Sequence, residues 1–456
     1  MQIDFDLLKK YNVAVPRYTS YPTVPFWDAH IEPERWMTLF KQQFRENNPK
    51  EGISLYIHLP FCEALCTYCG CNKKITTNHA VEYRYLEAVK KEWQLYLEVM
   101  EEKPILREVH LGGGTPTFFS PENLADLLNT IFKGAIIHPN HEFGFEGHPN
   151  NTTREHLQVL YRLGFRRVSY GVQDLDPEVQ RIINRIQPFE NVQSVTEMAR
   201  AIGFDSVNFD LIYGLPRQTP QRIEKTILQS IGLRPDRVAY YSYAHVPWTS
   251  KGQRLFDERD LPTADQKITL NQIGRKLFTQ NDYQNIGMDH FALTTDRLSS
   301  AANEGKLFRN FMGYTTQKAQ LLLGLGVSSI SDLGMGFSQN HKTLREYYRC
   351  VDAGLFPVSK GYFLNEQDRA FRQYILDIAC QSMTTFKRTD YPVLEQVSFP
   401  VLATLAADNL IKFNQDGIIV TELGRYFLRN ICSAFDLHLL KTSNIKLKND
   451  TYSKAF

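Results

Sequence analysis

Ile53-Ser-Leu-Tyr-Ile-His-Leu-Pro-Phe-Cys62-Glu-Ala-Leu-Cys66-Thr-Tyr-Cys69-Gly-Cys71-Asn72 is the stretch on which the fold turns. Ile53–His58 reads as a buried strand, apolar and β-branched. Directly behind it, four of the chain's seven cysteines fall within ten residues. In parallel α/β architectures, reactive groups gather just past the carboxyl ends of the strands. A cysteine loop at that position marks both the sheet and its working end.

Five similar runs follow: Glu108–Leu111, Phe143–Glu146, Arg167–Tyr170, Ser206–Asp210 and Arg237–Tyr241. Stretches of helical periodicity separate them, among them Ala80–Met100, Pro121–Phe132, Arg154–Leu163 and Pro220–Ile231. Strand-then-helix units predict a parallel sheet covered by helices. About six units fit a full or partial α/β barrel, and a doubly wound open sheet fits the periodicity equally well. Each strand ends in a polar or glycine-bearing turn: Gly112-Gly-Gly-Thr-Pro116, Glu146-Gly-His-Pro149, Gly171-Val-Gln-Asp174, and Asp210 through Gly214-Leu-Pro216.

Beyond residue 350 the texture changes. Gln367–Gln381 and Phe399–Asn409 read as helices, and Asn414-Gln-Asp-Gly417 joins two short apolar runs as a hairpin. This resembles a winged-helix module, but without the basic cluster that DNA reading requires. The first fifty residues, with Pro16-Arg-Tyr-Thr-Ser-Tyr-Pro22, read as an extended arm over the body.

At 456 residues, 43 % apolar and 22 % charged, the chain fits a large globular domain with an appended smaller one. A net charge of +2 gives no general case for nucleic acid or anionic lipid. No apolar run has the length of a membrane span, and the first residues lack a secretion pattern. A cytoplasmic protein is expected, with no membrane or nucleic-acid partner and no demand for more than a monomer. The clustered cysteines suit metal or redox chemistry in a reducing compartment. Cys350, Cys380 and Cys432 are scattered and read as core residues.

Cys62, Cys66 and Cys69 have gaps of three and then two residues. Three thiolates on a short loop can hold three irons of a [4Fe-4S] cubane and leave the fourth open. An open iron can bind the amino and carboxylate groups of S-adenosylmethionine (SAM) and deliver one electron to its sulfonium, which releases a 5′-deoxyadenosyl radical. Zinc is the alternative, although zinc sites usually take four protein ligands in two pairs, and no second pair is evident.

On Pro16–Pro22, Tyr56–Cys62, Cys69-Gly-Cys71-Asn72, Gly112–Pro116, Gly171–Asp174, Asp210–Pro216, Gly287-Met-Asp-His-Phe291 and Arg309–Thr316, the chain resembles the oxygen-independent coproporphyrinogen III oxidases (dehydrogenases) of the radical SAM superfamily. The resemblance runs along nearly the whole chain. It implies a partial (β/α) barrel of the radical SAM type over residues 49–349, an N-terminal arm over 1–48, and a smaller, mostly helical, winged-helix-like domain over 350–456. It implies conversion of two propionates of coproporphyrinogen III to vinyls, giving protoporphyrinogen IX, with two SAM molecules, an electron donor and an electron acceptor. The first SAM site maps onto Tyr56, Gly113, Glu146 and Ile330, and the second onto Tyr68, Gly114, Thr115, Gln173, Arg185, Asp210 and Ala244. His58, Cys71 and Phe311 are the catalytic candidates. Arg17 and Arg309 are candidates for gripping the substrate carboxylates, since guanidinium pairs well with them.

Taken singly, the triple glycine can be a turn, Glu146 and Asp210 helix caps, and Tyr56 or His58 core residues. Two positions depart from the family pattern: His148 stands where an acid is expected, and Met312 where a glutamine is expected. Three rival functions stay open: a haem chaperone of the same superfamily, a radical SAM methyltransferase that opens haem, and a winged-helix regulator with a redox cluster. Cys71 and the arm argue against the chaperone.

Overall fold

In the computed structural model, residues 3–318, 320–442, 452, 454 and 455 are described. The six expected strands form the middle of a twelve-stranded sheet: β1 (Ile53–Leu59), β2 (Ile105–Gly113), β3 (Ile136–Gly147), β4 (Phe165–Gln173), β5 (Ser206–Tyr213) and β6 (Arg237–Ser242). They are parallel neighbours in that order, and Leu322–Leu325 adds in parallel on the outer side of β1. Antiparallel strands extend both flanks, ending in Val358–Phe363 at one edge and Tyr283–Gly287 at the other. Among the described residues these two edges do not pair, so the barrel is partial.

Successive residues of a strand face opposite ways. One face carries Leu55, Ile57, Val109, Leu111, Phe143, Phe145, Val207, Phe209 and Val238, all buried in the main core. The other carries polar groups, including Tyr56, His58, His110, Glu146 and Asp210. A register shift between Phe143 and Gly144 puts Ser169 of β4 beside Glu146. Helices cover the apolar face, and several begin as their sequence demands. Ser120 and Thr219 accept hydrogen bonds from the backbone of Asn123 and Arg222, each with proline at the next position. Each such cap contributes about 1 kcal/mol.

The arm is not extended throughout. It forms two helices, Phe5–Tyr11 and Pro33–Glu51. Leu8, Tyr11, Val15, Tyr18 and Tyr21 pack into the C-terminal core with Phe371, Tyr374, Leu402 and Phe435. Trp36, Phe40 and Phe44 pack into the barrel core instead. Helix Pro33–Glu51 runs across the expected break at residue 48, and helix Leu344–Asp352 across that at 349, so neither break coincides with an element end. The C-terminal region combines helices Glu366–Gln381 and Phe399–Ala407 with a three-stranded sheet. The Asn414 side chain accepts from Asp416 and Gly417 N–H and closes its hairpin. Residues 443–451 of that expected domain lie outside the described residues. No helix among the described residues is long and apolar enough to cross a membrane.

Candidate functional site

The cysteine loop leaves the end of β1 and is zipped at its base by a short parallel ladder, Phe61 opposite Lys74 and Cys62 opposite Ile75. Its sulfurs face donors. Thr115 Oγ1 donates to Cys62 Sγ at 3.3 Å, and Arg185 Nη1 to Cys66 Sγ at 3.6 Å. Lys73 Nζ and Ser250 Oγ donate to the Cys69 carbonyl at 2.9 and 3.0 Å. Burial pushes the Cys62 thiol up to about 11, against the Thr115 hydroxyl. A hydrogen bond from Cys71 and the nearby Lys73 charge hold Cys69 down to about 6 despite its burial. Cys71 is exposed, and its thiol turns toward Cys69 rather than away from the set.

The glycine turn at the end of β2 packs beneath this loop. Gly113 has φ +117°, and a Cβ there would lie 2.7 Å from the His58 ring. A side chain at Gly114 would strike Pro60 at 2.6 Å. Glycine is therefore required at both positions. The Gly113 N–H donates to Glu146 Oε2 at 3.2 Å, and His110 Nε2 lies 3.5 Å from Oε1. Burial pushes Glu146 up, but the His110 ring and the Gly113 N–H outweigh it and hold the carboxyl below its ordinary range. Tyr56 stacks on His110 with ring centroids 6.1 Å apart. Asp210 faces the same space with Ser169 Oγ at 3.4 Å, and burial, reinforced by the Glu146 charge, pushes it up to about 7.

Arg185 also donates to the Gly171 carbonyl at 2.5 Å and to Gln187 at 3.2 Å. Gln173 ends β4 with φ +64° and lies close to Gly171. Gln253 ties Tyr68 to Ala244, donating to both carbonyls at 3.0 and 3.1 Å. His58 is buried with both ring nitrogens partnered, Nε2 at 2.9 Å from the Asn72 carbonyl and Nδ1 at 3.2 Å from Tyr56 Oη. Burial lowers its pKa. Phe311 and Ile330 belong to one apolar group with Trp27 and Phe337. Met312 sits in the turn beside Phe311, its N–H on Asn310 at 2.8 Å. Burial, with Arg185 nearby, holds His148 down to about 3. Arg17 donates to the Ser242 carbonyl at 2.6 Å, and Arg309 to the Arg17 carbonyl at 3.2 Å.

Sequence reasoning missed His110 and Gln253. Alternation along β2 places His110 on the polar face, so the signal was present. Gln253 lies in an irregular segment with no pattern to follow.

The loop offers what an iron–sulfur cubane needs. A cubane bound by three thiolates is anionic and takes each on a different iron, and here hydroxyl, guanidinium and ammonium donors surround the loop. The Radical SAM superfamily profile matches residues 56–229. The oxygen-independent coproporphyrinogen III oxidase of Pseudomonas aeruginosa is 37 % identical over 444 residues, 96 % of each chain. That of Escherichia coli is 37 % identical over 463 residues, 98 % of each. The chain belongs to this family. A solved structure of the E. coli coproporphyrinogen III oxidase, described as a radical SAM enzyme, superposes with a TM-score of 0.88 over 96 % of this chain and 100 % of that one. Family membership brings a [4Fe-4S] cluster and SAM as cofactors.

Proposed function

We infer that the protein carries out anaerobic oxidative decarboxylation of coproporphyrinogen III to protoporphyrinogen IX, a step of haem biosynthesis. Each of two propionates loses one hydrogen atom, CO2 and one electron and becomes a vinyl group. The cluster and SAM, when bound, supply a 5′-deoxyadenosyl radical that removes hydrogen from the propionate carbon next to the ring.

Cys62, Cys66 and Cys69 hold the cluster. Thr115 and Arg185 orient the first two sulfurs and favour their thiolate forms. At the first SAM site Gly113 lets the ligand approach the backbone, Glu146 accepts its hydrogen bonds, and Tyr56 and Ile330 bound it. At a second SAM site Tyr68, Gly114, Thr115, Gln173, Arg185, Asp210 and Ala244 form the walls. Asp210, pushed up to about 7, is driven toward its charged form when a cationic ligand arrives. Phe311 excludes water from the reacting carbon, His58 fixes the loop to β1, and Cys71 holds a transferable proton beside Cys69. One electron per propionate passes to an acceptor outside the chain.

The observation that carries this reading is the set of donors around the three-cysteine loop, above inward-facing Glu146 and Asp210. Anaerobic turnover of reconstituted protein with coproporphyrinogen III, SAM, a reductant and an electron acceptor tests it. Protoporphyrinogen IX and 5′-deoxyadenosine are expected, and both are lost in Cys66→Ser. Deoxyadenosine without the decarboxylated product would keep the radical chemistry and reject the substrate, making a haem-binding titration the next test.

A further inference from the structure

Beside the cysteine loop lies a cavity of about 300 Å³ between the start of helix Leu344–Asp352 and the segment after Pro60. Its lining includes Lys73, Lys74, Lys342 and Arg345 and no carboxylate. Among the described residues none of the four is in an ion pair with an acid. Lys74, Lys342 and Arg345 are exposed. Lys360 adds to the same field, since burial and the Lys342 charge hold it below the usual lysine range. This is a concentrated positive face on a chain whose net charge is only +2.

Its position ties it to the cluster loop. Lys74 pairs with Phe61 in the ladder that closes the loop, next to Cys62. Lys73 caps the carbonyl of Cys69 at 2.9 Å. Asn72 donates from its side chain to the Lys342 carbonyl at 3.0 Å, which fastens the loop to the cationic wall. The exposed Cys71 lies on the same stretch of chain.

We propose that this face docks a small acidic one-electron carrier protein and delivers its electron to the cluster loop. The proposal rests on the functional reading above, which needs one low-potential electron for each SAM cleaved. In each encounter the carrier is oxidised by one electron and the cluster reduced by one, and no bond forms or breaks. Uncompensated lysine and arginine beside the redox centre raise the encounter rate of an acidic partner and orient it, an effect that salt screens. Exposed Lys74, Lys342 and Arg345 around an open cavity suit such a transient protein contact.

The test uses reconstituted holoenzyme and, as probe, an acidic plant-type [2Fe-2S] ferredoxin reduced by one electron. Cluster reduction is followed by stopped-flow absorbance, and complex formation with oxidised ferredoxin by titration. In wild type the rate should fall steeply with ionic strength. In the Lys74→Glu, Lys342→Glu, Arg345→Glu triple variant it should drop about tenfold or more at low salt, lose most of its salt dependence, and show weakened binding. Reduction by the small cationic methyl viologen radical should not slow in the variant, which shows that its cluster is intact. A triple variant matching wild type in rate, salt dependence and binding would overturn the docking assignment. So would inhibition by inorganic phosphate, but not chloride, at matched ionic strength, because the cavity would then be a small-anion site. Absence of [4Fe-4S] absorbance from reconstituted wild type would reject the cluster reading itself.

Discussion

The inner face of the barrel is polar at both ends of the strands, but in different ways. Near the amino ends, Arg237 meets Asp296 at 3.0 Å and Glu142 at 3.7 Å, and Arg167 meets Glu142 at 3.2 Å. Burial raises Glu142, yet the two arginines more than offset it and hold the carboxyl low. Glu108 alongside accepts hydrogen bonds from Ser54 and Thr315, both at 2.5 Å. At the carboxyl ends, among the described residues, Glu146 and Asp210 have no arginine within ion-pair distance, and Glu146 has only the His110 ring at 3.5 Å. Asp210 faces Glu146 and is pushed up to about 7, while the half-buried guanidinium of Arg185 points to a sulfur. Charges matched within the chain hold a barrel together. Groups set against thiols and against each other are arranged for something the chain must bind.

Breaking each end separately sharpens the contrast. The largest effect is expected for Cys66→Ser, which should lose bound iron and reduce turnover to background while thermal unfolding of the apoprotein stays near wild type. Arg237→Leu should do the opposite. It strands Asp296, leaves Glu142 with Arg167 alone, and should cost about 3–5 kcal/mol in denaturant unfolding, with cluster assembly preserved at low temperature. Arg185→Gln removes a donor from Cys66 and should lower turnover about 10- to 100-fold with little loss of stability. Gly113→Ala forces a side chain onto the His58 ring at positive φ. About 1–3 kcal/mol of strain should appear in unfolding, together with weakened SAM binding by calorimetry.

A further prediction concerns pH. Asp210 has a folded pKa raised above its unfolded value, so the unfolded chain releases this proton first as pH rises. Its contribution to stability is therefore full below the unfolded value and lost as pH rises toward about 7. Asp210→Asn should flatten that part of the stability profile between pH about 4 and about 7, measured by urea midpoints. A steeper profile would contradict this account of the carboxyl end.

Much of this contrast was legible in the sequence. Six strands, their order along the chain and the helices between them followed from apolar, β-branched runs and helical periodicity. The cysteine loop, the glycine turn and the positions of Glu146 and Asp210 followed from strand ends. The arm did not. Its prolines suggested extended chain, but Trp36, Phe40 and Phe44 recur at helical spacing and bind helix Pro33–Glu51 to the barrel. Helix Phe5–Tyr11 is too short for a periodic signal and depends on Leu8 and Tyr11 packing against residues some four hundred positions later. The pairing of Arg185 with Cys66 and the tie from Gln253 to Tyr68 are contacts between distant segments that no local pattern encodes.

We propose that three cysteines hold a cluster with one iron left for SAM. Electron paramagnetic resonance of the reduced, reconstituted protein with and without SAM tests it most directly. A [4Fe-4S] signal that changes on addition of SAM, and that is lost in Cys62→Ser, Cys66→Ser and Cys69→Ser but kept in Cys71→Ser, is the predicted result. A signal indifferent to SAM, or one that survives loss of any of the three and disappears with Cys71, would contradict the account.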